Sequence, residues 1–377
     1  MGAAARTAAP RPIGTERESH EDDDSRTGHA MNERHRMTAP AAVTASSPPA
    51  GRSDPADVIV VVGSLNADLV VTTERHPQPG ETVRGGNLSV IPGGKSANQA
   101  VAASRLGGRV RLIGAVGDDA NGDLLRTAAA AAGVDVAGVQ VRPGTVTGTA
   151  VITVDAAGEN TIVISPGANA LVNADQIGAR TFDGAAALVL CLEIPIDVVL
   201  TAARTAAAAG VTVVTNLSPY QRVPRELLTL TDVLLLNDHE AQHLVGATGA
   251  TSTSELRDAL AAHHIQRAIV TRGVDGCLVF DRPAPVVHVP TVQVTAVDTT
   301  GCGDAFTGAL AFRLACGDTV VAAAQFATKV GAYAATKPGA QSSFPTAAEL
   351  CQFLSGREPA RQNSIPPGTT VGHGSGQ

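Results

Sequence analysis

The chain has 377 residues, 44% of them hydrophobic, which is enough for one large or two ordinary domains with a sizeable core. Its formal net charge of −7 argues against nucleic acid or an anionic membrane as the main partner. No apolar run approaches the roughly 20 residues that a membrane span needs, and cysteines 191, 277, 302, 316 and 351 show no paired spacing, so a reduced, cytoplasmic protein without a disulfide framework is expected.

Residues 1–55 are rich in Ala, Pro, Arg, Ser and Asp, with an acidic cluster at Glu21–Asp24 and no periodicity. That composition predicts a disordered tail, or upstream sequence if translation starts at Met31 or Met37. Residues 361–377, rich in Gly, Pro and Ser, predict a second disordered tail. One globular domain is expected between them, over 56–360.

Val58–Val62 is a continuous β-branched run, as in a strand buried on both faces. Gly63-Ser64-Leu65-Asn66-Ala67-Asp68 follows. Ligands of open α/β sheets bind beyond the carboxyl ends of strands, so Asn66 and Asp68 are placed to hydrogen-bond a polyol; an Asx-rich turn is the plainer reading. Leu69–Ile91 alternates short β-like pieces with Pro77, Pro79-Gly80 and Gly85-Gly86, and predicts a small antiparallel excursion. Thr147–Ser165 has the same character, with a turn at Asp155–Gly158. Two such ribbons inserted into an α/β chain, over about 67–92 and 147–168, can together make a lid.

Between them, Pro92-Gly93-Gly94-Lys95-Ser96-Ala97-Asn98-Gln99-Ala100 leads into a helix that stops at Gly107-Gly108. Gly94-Lys95-Ser96 imitates the end of a phosphate-binding P-loop, but that motif needs a glycine at position 89, which is Ser. The P-loop reading is rejected. The glycines still allow close backbone approach of a ligand, with Lys95 and Asn98 facing it.

From Val110 onward strands alternate with helices. Strands are predicted at Val110–Ala115, Ala187–Leu192, Val211–Asn216, Val233–Asn237, Ala268–Thr271 and Cys277–Phe280. Helices fall between, such as Leu124–Ala132, Val198–Ala209 and Ser254–His263. The alternation implies a mainly parallel sheet covered on both faces. Glu193, Asn216, Asn237 with Glu240, and Thr271 with Gly273 stand where successive strands end, which suggests one crevice. His239-Glu240-Ala241-Gln242-His243 matches the zinc-protease pattern H-E-x-x-H. It lies at a strand-to-helix junction with no obvious third ligand after it, so surface histidines are the preferred reading.

Val297–Phe306 holds two carboxylates and two glycines before an apolar helical run, Ala305–Ala315. A glycine-rich turn at a helix N-terminus can bring unpaired N–H groups against a phosphate. Asp304 at its mouth can meet an acceptor hydroxyl, which suggests phosphoryl transfer; an ordinary helix start with an Asp cap is the alternative. A second helix, Val320–Ala335, is followed by the turn 336–343, able to offer carbonyls to a cation or to close over an adenine.

With these residues assembled, the chain from about Val58 to Leu354 resembles the ribokinase family of carbohydrate kinases. Gly63–Asp68 looks like the family's sugar-binding first-strand motif and Gly93–Ala100 like its first signature, with Ser96 where Gly is frequent. Asn237-Asp238-His239-Glu240 looks like its N-x-x-E element, and Asp298–Asp304 like its second signature, D-T-x-G-x-G-D. The resemblance implies a three-layer α/β/α fold with a β-sheet lid, and an ATP-dependent kinase acting on the 5-hydroxyl of ribose. Asn66, Asp68, Gly94, Lys95, Asn98 and Glu193 would hold the sugar, and Asp304 would be the base. N–H groups of Gly301, Cys302 and Gly303 would form the anion hole. Asn216, Asn237, Thr271, Gly273, Gly276 and Gly303 would line the nucleotide site, and Glu240 would act on Mg2+ through water. Asp298 and Thr300, with Thr336, Gly339 and Ser343 of the turn, would bind an activating K+. A homodimer through the lid is implied as well. Asn66-x-Asp68 with Lys95 and Glu193 suits a small furanose. A nucleoside would want an aromatic wall, and aromatics are 2% of the chain. Against a sugar phosphate, no extra arginine cluster stands near the sugar motifs, and Arg84 is the nearest basic residue for one. A non-catalytic sugar or nucleotide sensor on the same fold is the reading from another class.

Overall fold

The computed structural model describes residues 58–246 and 252–356. The expected tails at 1–55 and 361–377, the alternative starts and the outer limits of the 56–360 domain lie outside the described residues.

All of strand β1 (Val58–Val62) is buried, and the run divides by parity. Ile59 and Val61 join one core cluster, while Val58, Val60 and Val62 join another. Side chains alternate between faces along a strand, so an unbroken apolar run needs cover on both sides. From β1 the chain passes through β2 (Asn66–Thr72), β3 (Ser89–Gly93), α1 (Lys95–Arg105), β4 (Arg109–Gly117), α2 (Ala120–Ala131) and β5 (Asp135–Arg142). There follow β6 (Thr149–Val154), β7 (Asn160–Ser165), β8 (Ala185–Leu190), α3 (Ile196–Ala208), β9 (Thr212–Asn216), α4 (Arg225–Leu230), β10 (Val233–Asn237) and α5 (Asp238–Val245). The last part comprises α6 (Thr253–Ala262), β11 (Arg267–Thr271), β12 (Cys277–Asp281), β13 (Val287–Val289), α7 (Cys302–Ala315), α8 (Val320–Ala335) and α9 (Ala347–Leu354).

Nine strands form the large sheet, in the order β13-β12-β11-β10-β9-β8-β1-β4-β5. Pairing is parallel from β11 through to β5, and antiparallel at β12 and β13. Helices α1, α2, α7, α8 and α9 contribute to the core on one face, and α3 to α6 to the core on the other. The chain winds outward from β1 in both directions, so the order reverses between β1 and β8. A ligand crevice is expected beyond that pair of strand ends.

The two inserted ribbons pair into one four-stranded sheet, β3-β2-β6-β7. Its inner pair, β2 and β6, is parallel and its outer pairs are antiparallel. One local expectation is corrected here. Asn66 and Asp68 belong to no turn; both lie within β2, paired with Gly93 and Ile91 of β3. The edge strand β5 was absent from the strands expected, because its alternating half-exposed residues lack a continuous apolar run.

Helix α7 decides where the site lies. Residues Asp304–Ala311 are buried without interruption, as in a helix surrounded by protein on all sides. It packs closely on α1: a Cβ on Gly308 would lie 2.4 Å from the Gln99 carbonyl oxygen. Close packing of small residues sets the first turn of α7 against Asn98 and Gln99. Among the described residues no helix is long and apolar enough to cross a membrane.

Candidate active site

The ends of β1 and β8 meet first. Ser64 Oγ donates to Glu193 Oε2 at 2.5 Å, and the Lys95 N–H donates to the same oxygen at 3.1 Å. That leaves Oε1 of Glu193 for a ligand. Beneath them Ser96 Oγ and Cys191 Sγ lie 2.8 Å apart, both buried.

The second wall is the start of β2. Asn169, fully buried just beyond the second ribbon, accepts from the Leu65 N–H and donates to the Leu65 carbonyl, both at 3.0 Å. Its remaining amide hydrogen goes to Asn66 Oδ1 at 2.7 Å. Backbone polarity thus fixes Asn169, and Asn169 fixes Asn66 with its amino group left for a ligand. Gly94 has φ +89°, and a Cβ there would fall 2.6 Å from the Asn66 nitrogen. Only glycine fits that turn without strain. Gly93 faces the Asp68 carboxylate at a similarly close approach.

Asp304 is buried and caps no helix end. The N-cap of α7 is Gly301, in the left-handed region at φ 73°. Asn98 Nδ2 donates to Asp304 Oδ2 at 2.9 Å, and Gln99 Nε2 donates to Oδ1 at 3.0 Å. Gln341, from the turn after α8, donates to Asn98 Oδ1 at 3.0 Å. Burial raises the Asp304 carboxyl above its ordinary range, against Lys95 and the two amides, which pull it down; Glu193 adds to the rise. Asp68 is pushed up to about 7 by burial and by the charges of Glu193 and Asp304, with Lys95 opposing. Burial disfavours the Lys95 ammonium, but Asp304, Glu193, Cys191 and Glu240 outweigh it, so Lys95 is held charged. Three carboxyls around one ammonium make a floor rich in hydrogen-bond acceptors and short of positive charge. Such a floor suits the hydroxyls of a neutral polyol and repels an anion.

On its other side Asp304 lines a cleft of about 140 Å3 together with Lys95, Asn216, Asn237, Glu240, Thr271, Gly301 and Gly303. Of the residues expected at successive strand ends, Asn216, Asn237, Glu240 and Thr271 share this cleft, because β9, β10 and β11 are neighbours in the sheet, whereas Glu193 and Gly273 do not line it. Asn237 and Glu240 form a reciprocal cap at the start of α5, each donating its N–H to the other's side chain at 2.8 Å. This occupies Glu240 Oε2. Away from Asp304, Glu240 is the one carboxylate of the cleft lining, which fits a magnesium ion held mainly by phosphate oxygens and water. Gly273 and Gly276 follow β11 with φ +53° and +80°. The Cys302 N–H donates to the Thr299 carbonyl at 3.2 Å, so of the three expected anion-hole amides those of Gly301 and Gly303 belong to residues lining the cleft.

The residues expected to hold a cation stand on two turns that meet at Asp298 and Gly339. Asp298 accepts from the Thr300 N–H at 2.8 Å and from the Gly339 N–H at 2.7 Å. Despite some burial, those bonds hold its carboxyl below the usual range. Thr336 Oγ1 donates to the Tyr333 carbonyl and Ser343 Oγ to that of Ala340, so each hydroxyl keeps lone pairs. The donor types of the two turns, an ionised carboxylate with hydroxyl and carbonyl oxygens, are those that suit a monovalent cation.

His239 and His243 share a face of α5, with Nε2 atoms 3.2 Å apart. Among the described residues no group of three His, Cys, Asp or Glu side chains could hold a metal ion, so the H-E-x-x-H match lacks a third ligand. Burial, with Asp298 and Asp304 adding, pushes the Cys302 thiol up to about 11, which makes it a poor nucleophile. Arg84 is exposed on the loop before β3. Four polar residues of the site carried no expected role: Ser64, Gln99, Asn169 and Gln341. Ser64 and Gln99 sat inside motifs already singled out. Gln341 sat inside the turn 336–343, also singled out, and Asn169 had no local signal beyond Gly167 two residues before it.

A family model described as pfkB family carbohydrate kinase matches residues 56–347. A ribokinase of Haemophilus influenzae is 36% identical over 302 residues, covering 78% of this chain and 98% of its own. A deoxyribokinase of Salmonella typhi is 33% identical over 303 residues, covering 79% and 98%. A solved structure of Arabidopsis thaliana ribokinase complexed with ribose and ATP superposes with a TM-score of 0.73 at 30% identity, covering 79% of this chain and 99% of that one.

Proposed function

Because the chain belongs to the pfkB family of carbohydrate kinases, we propose that it transfers the terminal phosphoryl group of ATP to the 5-hydroxyl of D-ribose. One observation carries the reading. Asp304 stands in two neighbourhoods at once: it is a charge neighbour of Asp68, Glu193 and Lys95, and it lines the cleft with Asn216, Asn237 and Thr271.

The sugar lies between β2 and the β1 and β8 ends. The amino group of Asn66 and the ammonium of Lys95 donate to its hydroxyls, and Asp68 and Glu193 accept from them. Asp304 takes the proton of the attacking hydroxyl late, as the new O–P bond forms. Phosphoryl transfer passes through a loose transition state, so placement and charge stabilisation matter most. The raised proton affinity of buried Asp304 suits this task better than an ordinary carboxylate would. The main-chain amides of Gly301 and Gly303, with Lys95 nearby, meet the charge on the transferring group; that of Cys302 is taken by the Thr299 carbonyl. Asn216, Thr271, Gly273 and Gly276 flank the nucleotide. Glu240 would hold Mg2+ through water, and Asp298, Thr300, Thr336, Gly339 and Ser343 would hold K+. When bound, these ions offset phosphate charge and brace the turns around it.

We place the protein in the cytoplasm, where its buried thiols Cys191 and Cys277 stay reduced. Val151, Ile162, Val163 and Ile164 leave apolar surface exposed on the small sheet, which supports a homodimer formed through that lid.

A coupled ADP-release assay over pentoses, hexoses and nucleosides, with and without potassium, tests the reading. D-ribose should give the highest kcat/KM, ahead of 2-deoxyribose, and potassium should raise it. Faster turnover of a nucleoside would change the substrate class. Ribose binding without ADP formation would make the protein a sensor.

A further inference from the structure

The hydrogen bonds behind Asp304 have a direction, and the direction can be traced. A carboxylate only accepts. The amino end of Asn98 must therefore face Asp304, and its carbonyl must face away, where it meets Gln341 Nε2. Gln341 lies 243 residues from Asn98, in the turn that closes on Asp298 through Gly339. The other amide on Asp304 differs. Gln99 Oε1 is buried and has no hydrogen-bond partner, so nothing but Asp304 itself sets that side chain. Of the two clamps on Asp304, only Asn98 is oriented from outside.

Building on the kinase reading, we propose that Gln341 is a positioning residue that holds the Asn98 amino group on Asp304 and so makes the state of the turn at 336–343 felt at the base. Without its donor, the Asn98 carbonyl is left unpartnered and its amide is held on Asp304 by the carboxylate alone, as Gln99 is. One of the two charge-assisted bonds on Asp304 weakens, and its affinity for a proton rises.

The test uses the full chain. Gln341→Met keeps the length of the side chain and removes the donor without adding charge; Gln341→Ala is a second donor-free variant. Two quantities are followed against pH: kcat with ribose and ATP, and the carbon-13 carboxyl signal of Asp304, assigned by its loss in Asp304→Asn. The expected result is a folded variant whose kcat falls roughly 10-fold or more. Its acid limb in the kcat profile and its Asp304 titration should both move to higher pH. A loosened turn alone would lower turnover without moving either midpoint. Folded donor-free variants with both midpoints at the wild-type position overturn the proposal. If the wild-type protein forms no ADP with any sugar, the kinase reading fails separately, and the carboxyl titration still decides the role of Gln341.

Discussion

Gly63 and Ser96 compete for one space: a Cβ built on Gly63 would lie 2.0 Å from Ser96 Oγ and 2.8 Å from Ser96 Cβ. The third neighbour, Cys191 Sγ, is at an ordinary 3.5 Å. Gly63→Ala should therefore destabilise the protein by about 1–3 kcal/mol through overpacking. Adding Ser96→Gly removes both close atoms and should restore most of the loss. Denaturant unfolding of the two single variants and the double variant measures this coupling. Additive effects would mean that the backbone, and not Ser96, sets the limit at Gly63.

Asp304→Asn should lower kcat by at least about 100-fold while leaving ribose affinity within a few-fold. The fold should survive. An asparagine places one amino group against a neighbouring amide donor, but Gln99, whose carbonyl is unpartnered, can turn over and accept it. Near-normal turnover in this variant would remove Asp304 from its role as base.

Asp68 ties ligand binding and stability to pH in opposite senses. Its carboxyl goes from an ordinary 3.8 to about 7 in the folded protein. Folding therefore favours the protonated form. That contribution to stability is complete below the ordinary value and is lost as pH rises through about 7. Asp68→Asn, which does not ionise, should melt at a higher temperature than the wild type at about pH 8, and the two should converge near pH 4. Ribose binding to the wild type should strengthen as pH rises through the same range, since the carboxylate is the better acceptor. A melting difference that ignores pH would show that Asp68 titrates normally.

Cys302 offers its place and not its sulfur. With its thiol pushed up to about 11, almost none is thiolate at neutral pH. Cys302→Ala should keep most activity, and the wild type should react slowly with iodoacetamide at pH 7 compared with an exposed cysteine. A folded but inactive alanine variant would contradict this.

The large sheet was legible because its buried strands are unbroken apolar runs; Val233–Asn237 and the helix Val320–Ala335 match residue for residue. The crevice was legible because polar residues at strand ends interrupt those runs. Long-range polarity was not legible. That Asn169 turns the amide of Asn66, or that Gln341 turns that of Asn98, depends on contacts spanning 103 and 243 residues. An isolated asparagine between alanines, as at Asn169, looks the same whether it faces solvent or a buried carbonyl. Nor could spacing tell a turn from a strand at Asn66–Asp68, where the pairing partner, β3, arrives from beyond a loop.

Because β2 begins at Asn66, two of the sugar's expected ligands are the first residues of the small sheet itself. That sheet cannot swing as a body without dragging Asn66 and Asp68 along. On the proposed function it would be a lever whose short arm is the grip on the saccharide and whose long arm is the exposed canopy. Grip and canopy share one strand, so a messenger between them is unnecessary.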